Sequence, residues 1–412
     1  MANIIPFKAI RPVRDKVHLV ATMPYYSYKK NVLKAKLEDN PFSFLHIINP
    51  EFNSRLKTKP NSLERFKLVS DSYENFINEG VLVQEDKPSF YVYRQSNGDF
   101  EYTGVIAGAS VEEYNNDLIK KHEATLTSRE TMFTNYLDVV GYNAEPVLLS
   151  YPHHPKVSEL LSEITNSRPE YEFSTTDKNK HELWVVESRF SELLSDLFTE
   201  IPCLYIADGH HRSASSALLA SKRKEKGENR GGGNKDFFLA YFIDEQELNI
   251  LEFNRLVKGL NGLSKNEFID KVSSFFEVTK LRKPTKPSKV HQMTVCIEGD
   301  WYLFDFKSGI INESHPVDSL DPEILTKFIL SPILGIQDLK TDNRIEFISG
   351  AESISKIDEQ IKKKKFDIGF VLYPVSMNQV KEVADNNMIM PPKSTWVEPK
   401  LRSGLTIYNI NE

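Results

Sequence analysis

Between Leu204 and Ala214 an apolar run stops abruptly at Asp208-Gly209-His210-His211-Arg212. An acceptor, a conformationally free backbone position, two imidazoles and a planar cation follow one another there. Phosphoryl transfer asks for such a set: a carboxylate to orient a hydroxyl or hold a divalent ion, and donors to hold the oxygens of the moving group. Asp208 is therefore expected as base or metal ligand. His210 and His211 are expected as phosphate donors that titrate near neutrality, and Arg212 as a fork for phosphoryl oxygens. A single residue of this kind is commonly a helix cap or a solvated charge; the adjacent set at the end of a buried strand favours chemistry.

Three further clusters have suitable residue types. In Lys121-His122-Glu123 with Thr125, the Glu123 carboxylate could take a proton from a substrate hydroxyl, while Lys121, His122 and Thr125 bind anions; the bland alternative is a charged helix end. The stretch Met388 to Gly404 is dense in hydroxyls and cations, and its prolines exclude a regular helix. Within it Lys393, Ser394, Thr395 and Lys400 suit phosphate or carboxylate. Arg344 in Asp342-Asn343-Arg344 is the fourth. The chain has no Walker-type Gly-x-x-x-x-Gly-Lys-Ser/Thr run, no Gly-x-Gly-x-x-Gly after a strand and no His-Glu-x-x-His. His18, His153, His154, His181, His291 and His315 read as structural or surface residues, and Tyr25, Tyr26 and Tyr28 as cover for a core or the lining of a pocket.

The elements that must position the first cluster are an apolar strand that ends at the acid and a helix-forming run, Ser215–Ala220, that follows the turn at once. Gly209 lets the turn take positive φ or brings backbone close to a ligand, and the free amides opening the helix form an anion site. Around this unit strands and helices alternate, with a helix around Ser62 to Glu79 and a hairpin turn at Ser96–Asp99, so the fold class expected is mixed α/β. A main α/β domain over residues 1–280 and a C-terminal α/β region over 281–412 are predicted, with Pro284–Ser288 as a linker and Lys222–Asn234 as a surface loop.

At 412 residues, 40% hydrophobic and 27% charged, the chain can bury a large core. Its formal net charge of −6 disfavours nucleic acid as partner, because phosphate-backbone binding needs a concentrated positive surface. No apolar run reaches membrane-span length and the N-terminus does not read as a secretory leader. Two cysteines, Cys203 and Cys296, are too few for a disulfide framework. A cytoplasmic enzyme acting on small molecules is expected.

Ile206-Ala-Asp-Gly-His-His-Arg212 also resembles the corresponding motif of the domain-of-unknown-function 1015 family. Matches far apart support it: Ile4–Pro12, Phe44–Glu51, Lys121–Thr125, Asn143–Pro146, Asp342–Arg344 and Met390–Thr395. The turn is similar to that of ParB/sulfiredoxin-type folds, and most of all to that of the free serine kinases on this scaffold. The resemblance implies a ParB/sulfiredoxin-like core and transfer of a phosphoryl group to L-serine, with Mg²⁺ neutralising the donor. By it Asp208 takes the motif-aspartate role, the backbone at Gly209 with His210, His211 and Arg212 binds phosphate, and a separate glutamate is required, for which Glu123 is chosen on its Lys-His-Glu setting. His210 stands where sulfiredoxin carries its reactive cysteine, which argues against thiol repair. The dispersed Lys, Arg and His clusters suit a compact donor such as pyrophosphate ahead of ADP or ATP. The rival expectations are a phosphate-ester hydrolase in the same site and a ParB-like module that binds a nucleotide or nucleic acid.

Overall fold

The computed structural model describes residues 2–52, 57–228, 233–352 and 354–412. The chain forms two compact units. The first takes Met1–Lys121, Thr125–Leu248 and Pro399–Glu412; the second takes His122–Ala124 and Asn249–Glu398.

The first unit is built on a nine-stranded mixed sheet. Its strands in chain order are β1 (Ile4–Ile5), β2 (Tyr91–Ser96), β3 (Glu101–Ser110), β4 (Ile119–Lys120), β5 (Val147–Tyr151), β6 (Tyr171–Ser174), β7 (Lys180–Val185), β8 (Leu204–Asp208) and β9 (Phe237–Asp244). Across the sheet the order is β4-β8-β5-β9-β3-β2-β7-β6, with β1 on β3. β8 runs parallel to β4 and antiparallel to β5, whereas β5 and β9 are parallel. The predicted Ser96–Asp99 hairpin turn joins β2 to β3 in antiparallel register. β3 is buried along almost its whole length. At Gly104 a Cβ would lie 2.3 Å from the Phe242 carbonyl oxygen of β9, so only glycine lets the two backbones approach so closely.

Helix α1 (Thr127–Val140) packs against helix α2 (His210–Glu225), which follows β8 directly. The buried positions of α2 are mostly small, Ser213, Ala214, Ser215, Ser216, Ala217 and Ala220, with Leu219 among them. The predicted helix near Ser62 spans Leu63–Asn78, its start fixed by Ser62 Oγ accepting from the Arg65 amide. Leu63 in its first turn is 57% exposed, whereas Phe66, Val69 and Tyr73 are buried.

The second unit has a seven-stranded antiparallel sheet of β10 (Asn249–Val257), β11 (Phe276–Leu281), β12 (Gln292–Ile297), β13 (Asp300–Phe306), β14 (Ile345–Ser349), β15 (Ile368–Leu372) and β16 (Thr395–Glu398). β10 pairs with β16 through Asn249–Glu252 and with β14 through Phe253–Val257. Its partners thus come from the C-terminal third of the chain.

The mixed α/β class is therefore as expected, but the division is not. The boundary predicted at 280/281 lies at Leu248/Asn249, and the chain returns to the first unit at Pro399. The reason is long-range pairing: β10 looks like another strand of the preceding sheet until its ladder partners are known. Pro284–Ser288 does not link domains either, since it lies between β11 and β12 of one sheet. Of the predicted loop at Lys222–Asn234, Lys222–Glu225 closes α2, and residues 229–232 lie outside the described ones. Both cysteines are free. Among the described residues no helix is long and apolar enough to cross a membrane.

Candidate functional site

β8 carries the chain to Asp208, and a register shift between Ile206 and Asp208 against β5 re-aims the carboxylate at the strand end. Gly209 has φ +105°, and a Cβ there would stand 3.1 Å from the Arg212 guanidinium. The positive φ demands glycine, and a side chain there would also press on Arg212. α2 begins at His210, so His210, His211 and Arg212 occupy its first turn rather than an open loop. The Arg212 and Ser213 amides bond to the Gly209 carbonyl, and Ser213 Oγ donates to the His210 carbonyl at 3.0 Å.

Asp208 meets two cations through one oxygen: Arg212 Nη2 lies 3.5 Å and Lys400 Nζ 3.6 Å from its Oδ2. Its side chain is 37% exposed and that of Lys400 13%. Burial alone would push the Asp208 carboxyl up, but Lys400, Arg212 and the His210 ring outweigh that and hold it below the usual carboxylate range. Asp208 is ionised at neutral pH.

Arg212 is not the open fork the sequence suggested. Its Nη1 pairs with Glu145 Oε1 at 2.8 Å and donates to the Pro146 carbonyl at 2.5 Å. Burial pulls the guanidinium's affinity for its proton down, yet Glu145 and Asp208 together raise it above the ordinary value. Glu145 is fixed on its far side by Ser403 Oγ, donating to Oε2 at 3.3 Å, and Tyr26 lies close enough to feel its charge. Tyr26 is 65% exposed. Glu145, Arg212, Asp208 and Lys400 thus form a row of alternating charge.

The imidazoles also differ from expectation. His210 is 5% exposed, and burial pulls its pKa down to about 3, against the opposing pull of Asp208. It is a neutral ring at pH 7 and does not titrate near neutrality. His211 is half-buried one position along the same turn.

Several other expected residues are committed to their own elements. In the first unit the Lys121 ammonium pairs with Asp117 at 2.5 Å, donates to the Tyr114 carbonyl and lies over the Tyr114 ring, while Thr125 Oγ1 donates to Glu130. Those contacts tie both side chains to neighbours within the first unit. In the second unit Arg344 is bound to Asp342 and to the carbonyls of Leu334 and Gly335. The buried Ser394 gives its hydroxyl proton to the Pro391 carbonyl. Thr395 opens β16. Lys393, with φ +60°, is exposed, and its ammonium lies 5.3 Å from the Phe253 ring centroid. His122 and Glu123 also belong to the second unit, where the Met390 amide donates to the His122 carbonyl.

The structure therefore joins Asp208, Arg212 and Lys400 among the expected residues and adds Glu145 and Tyr26. The signal for Glu145 was present in Asn143-Ala-Glu-Pro146, a charged residue at the entry to the buried strand β5. Tyr26 had only its neighbours Tyr25 and Tyr28 to mark it.

The model of the family described as "Protein of unknown function (DUF1015)" matches residues 4–323. No curated protein matches the chain. Solved structures similar to it include a free serine kinase in complex with AMP, at 12% identity and a TM-score of 0.35 over 74% of this chain and 91% of that one. SbnI with a C-terminal truncation, from Staphylococcus aureus, is 11% identical with a TM-score of 0.40 over 74% and 87%. A conserved hypothetical protein from Pyrococcus furiosus is 13% identical with a TM-score of 0.35 over 74% and 94%.

Proposed function

The chain belongs to the family described as protein of unknown function DUF1015, and we propose that it is a phosphotransferase that converts free L-serine to O-phospho-L-serine. The observation that carries this reading is Asp208, held ionised at the end of β8 by Lys400 and Arg212 and set immediately before the first turn of α2. The likeness of the surrounding run to the motif of free serine kinases adds the acceptor.

Both cations approach Asp208 through Oδ2; Oδ1 is then the oxygen that orients the serine hydroxyl. As the serine Oγ attacks, the new O–P bond forms while the bond from phosphorus to the donor's bridging oxygen breaks, and the hydroxyl proton passes to Asp208. With pyrophosphate, the donor we favour over ADP or ATP, orthophosphate leaves. Amides at the opening of α2 face the anion with the positive end of the helix, and Arg212 and Lys400 balance the charge of Asp208 throughout. Asp208 is also the carboxylate of this turn that would hold Mg²⁺, which would neutralise the charge of the transferred group.

Steady-state kinetics test the reading. The wild-type protein should release orthophosphate from pyrophosphate only when L-serine is present, and Asp208→Asn should lower kcat by about 100-fold or more with unchanged circular dichroism. Release that ignores L-serine would mean that water is the acceptor. Full activity in Asp208→Asn would remove that residue from the chemistry.

A further inference from the structure

Of the acids and bases around the turn, Glu145 has no role in the transfer just described, although it is the carboxylate to which Arg212 is most closely paired. Its Oε1 faces the Arg212 guanidinium at 2.8 Å, and its Oε2 accepts from Ser403. It keeps 21% of its side-chain surface, Arg212 25% and Asp208 37%, so the row is open to a small ligand. Tyr26, itself 65% exposed, lies beside Glu145 at the edge of the row.

The order of charge along the row is negative at Glu145, positive at Arg212, negative at Asp208 and positive at Lys400, two of each sign. A neutral row of this kind has no net attraction for a polyanion, whose every oxygen would meet a carboxylate as soon as it met a cation. A zwitterion is different. Its ammonium and carboxylate can each exchange with one member of an existing ion pair and leave all the charges matched, which limits the desolvation cost of opening the row. The Arg212 edge that now faces Glu145 would turn to the ligand carboxylate as the ammonium takes Glu145, while Nη2 stays with Asp208.

We propose that Glu145 and Arg212 form the recognition site for the two charged ends of a free α-amino acid, with Glu145 and the Tyr26 hydroxyl taking the ammonium and Arg212 the carboxylate. The inference rests on the serine-kinase reading for the identity of the amino acid and makes Glu145 a specificity-determining residue. The acceptor's hydroxyl then falls to Asp208, the next acid of the row, and the phosphates of the donor bind outside the row.

Calorimetric titration of the full chain tests this without any turnover. L-Serine should bind at least about 30-fold more tightly than 3-hydroxypropionate, which lacks the ammonium, or ethanolamine, which lacks the carboxylate. Glu145→Gln should weaken L-serine by about 30-fold but leave 3-hydroxypropionate and pyrophosphate within about threefold of their wild-type affinities. Tyr26→Phe, which leaves every ion pair in place, should weaken L-serine alone by about three- to tenfold. Equal loss for all ligands in both variants would show a merely structural role and overturn the proposal, as would wild-type protein that binds 3-hydroxypropionate as well as L-serine, or neither. If the selective pattern appears but no donor yields phosphoserine, the kinase reading falls and the amino-acid site stands. If phosphoserine forms and Glu145→Gln leaves the KM for L-serine unchanged, the reverse holds.

Discussion

Replacing Lys400 by Met removes one of the two cations that hold the Asp208 carboxyl low and leaves the other in place. At the observed separation of 3.6 Å, Coulomb's law with an effective dielectric constant of about 20 gives roughly 4.6 kcal/mol as a ceiling for the lost interaction. Asp208 keeps 37% of its side-chain surface, and solvent screening of such a pair reduces the expected figure to about 1–2 kcal/mol, or about one pH unit. The sign follows from the charge: without the ammonium the carboxylate is less favoured, so its protonation moves to higher pH. If Asp208 must be ionised for transfer, the acid limb of kcat/KM for L-serine should therefore rise by about one pH unit in Lys400→Met. It should stay within about 0.3 unit of wild type in Lys400→Arg, which keeps the charge. Added salt should narrow the difference between wild type and Lys400→Met. An acid limb that does not move in Lys400→Met, or that moves down, would refute the link between this ion pair and the ionised state of Asp208.

Three other perturbations test separate parts of the structure. Gly209→Ala places a Cβ at φ +105° and 3.1 Å from the Arg212 guanidinium, so thermal unfolding should show a loss of about 1–3 kcal/mol. His181 and His210 are both buried and burial pulls each pKa down to about 3. The unfolded chain then binds more protons than the folded one below pH 6.5, and stability should fall by up to about 2.7 kcal/mol per pH unit from there toward pH 3, with His181→Gln removing about half of that slope in urea titrations at pH 4.5–6. Arg255 is fully buried in the second unit, donating to the carbonyls of Phe253 and Lys393, and among the described residues no carboxylate pairs with it. Arg255→Met should change stability by less than about 1 kcal/mol or increase it, because the desolvation cost of the charge disappears. Amide exchange should nonetheless quicken in the Pro391–Thr395 turn that the guanidinium holds.

What the sequence disclosed was local. Asp208 through Arg212 could be read because strand, glycine turn and helix are consecutive, and the structure keeps that order with Gly209 at positive φ. The pairing of charges around the turn could not. Glu145 was not among the expected residues, and Lys400, expected to bind an anion, pairs with Asp208 from the segment that returns to the first unit after β16. The same limit misled the reading of single residues. Arg212 looks free until Glu145 is placed beside it, and His210 looks titratable until its burial is known. Lys121 carries the right charge for an anion site yet turns back to Asp117 and Tyr114. The domain boundary failed for a related reason, since the partners of β10 come from residues 345–398.

The central claim is that this chain transfers a phosphoryl group to the hydroxyl of free L-serine. Its most direct test is mass-spectrometric detection of product after incubating the purified full chain with L-serine, Mg²⁺ and, in separate reactions, pyrophosphate, ADP or ATP. The account predicts O-phospho-L-serine, formed with pyrophosphate and lost in Asp208→Asn. Product with a nucleotide alone would change the donor and leave the acceptor and the site as described. Folded protein that yields no O-phospho-L-serine with any of the three donors would contradict the account.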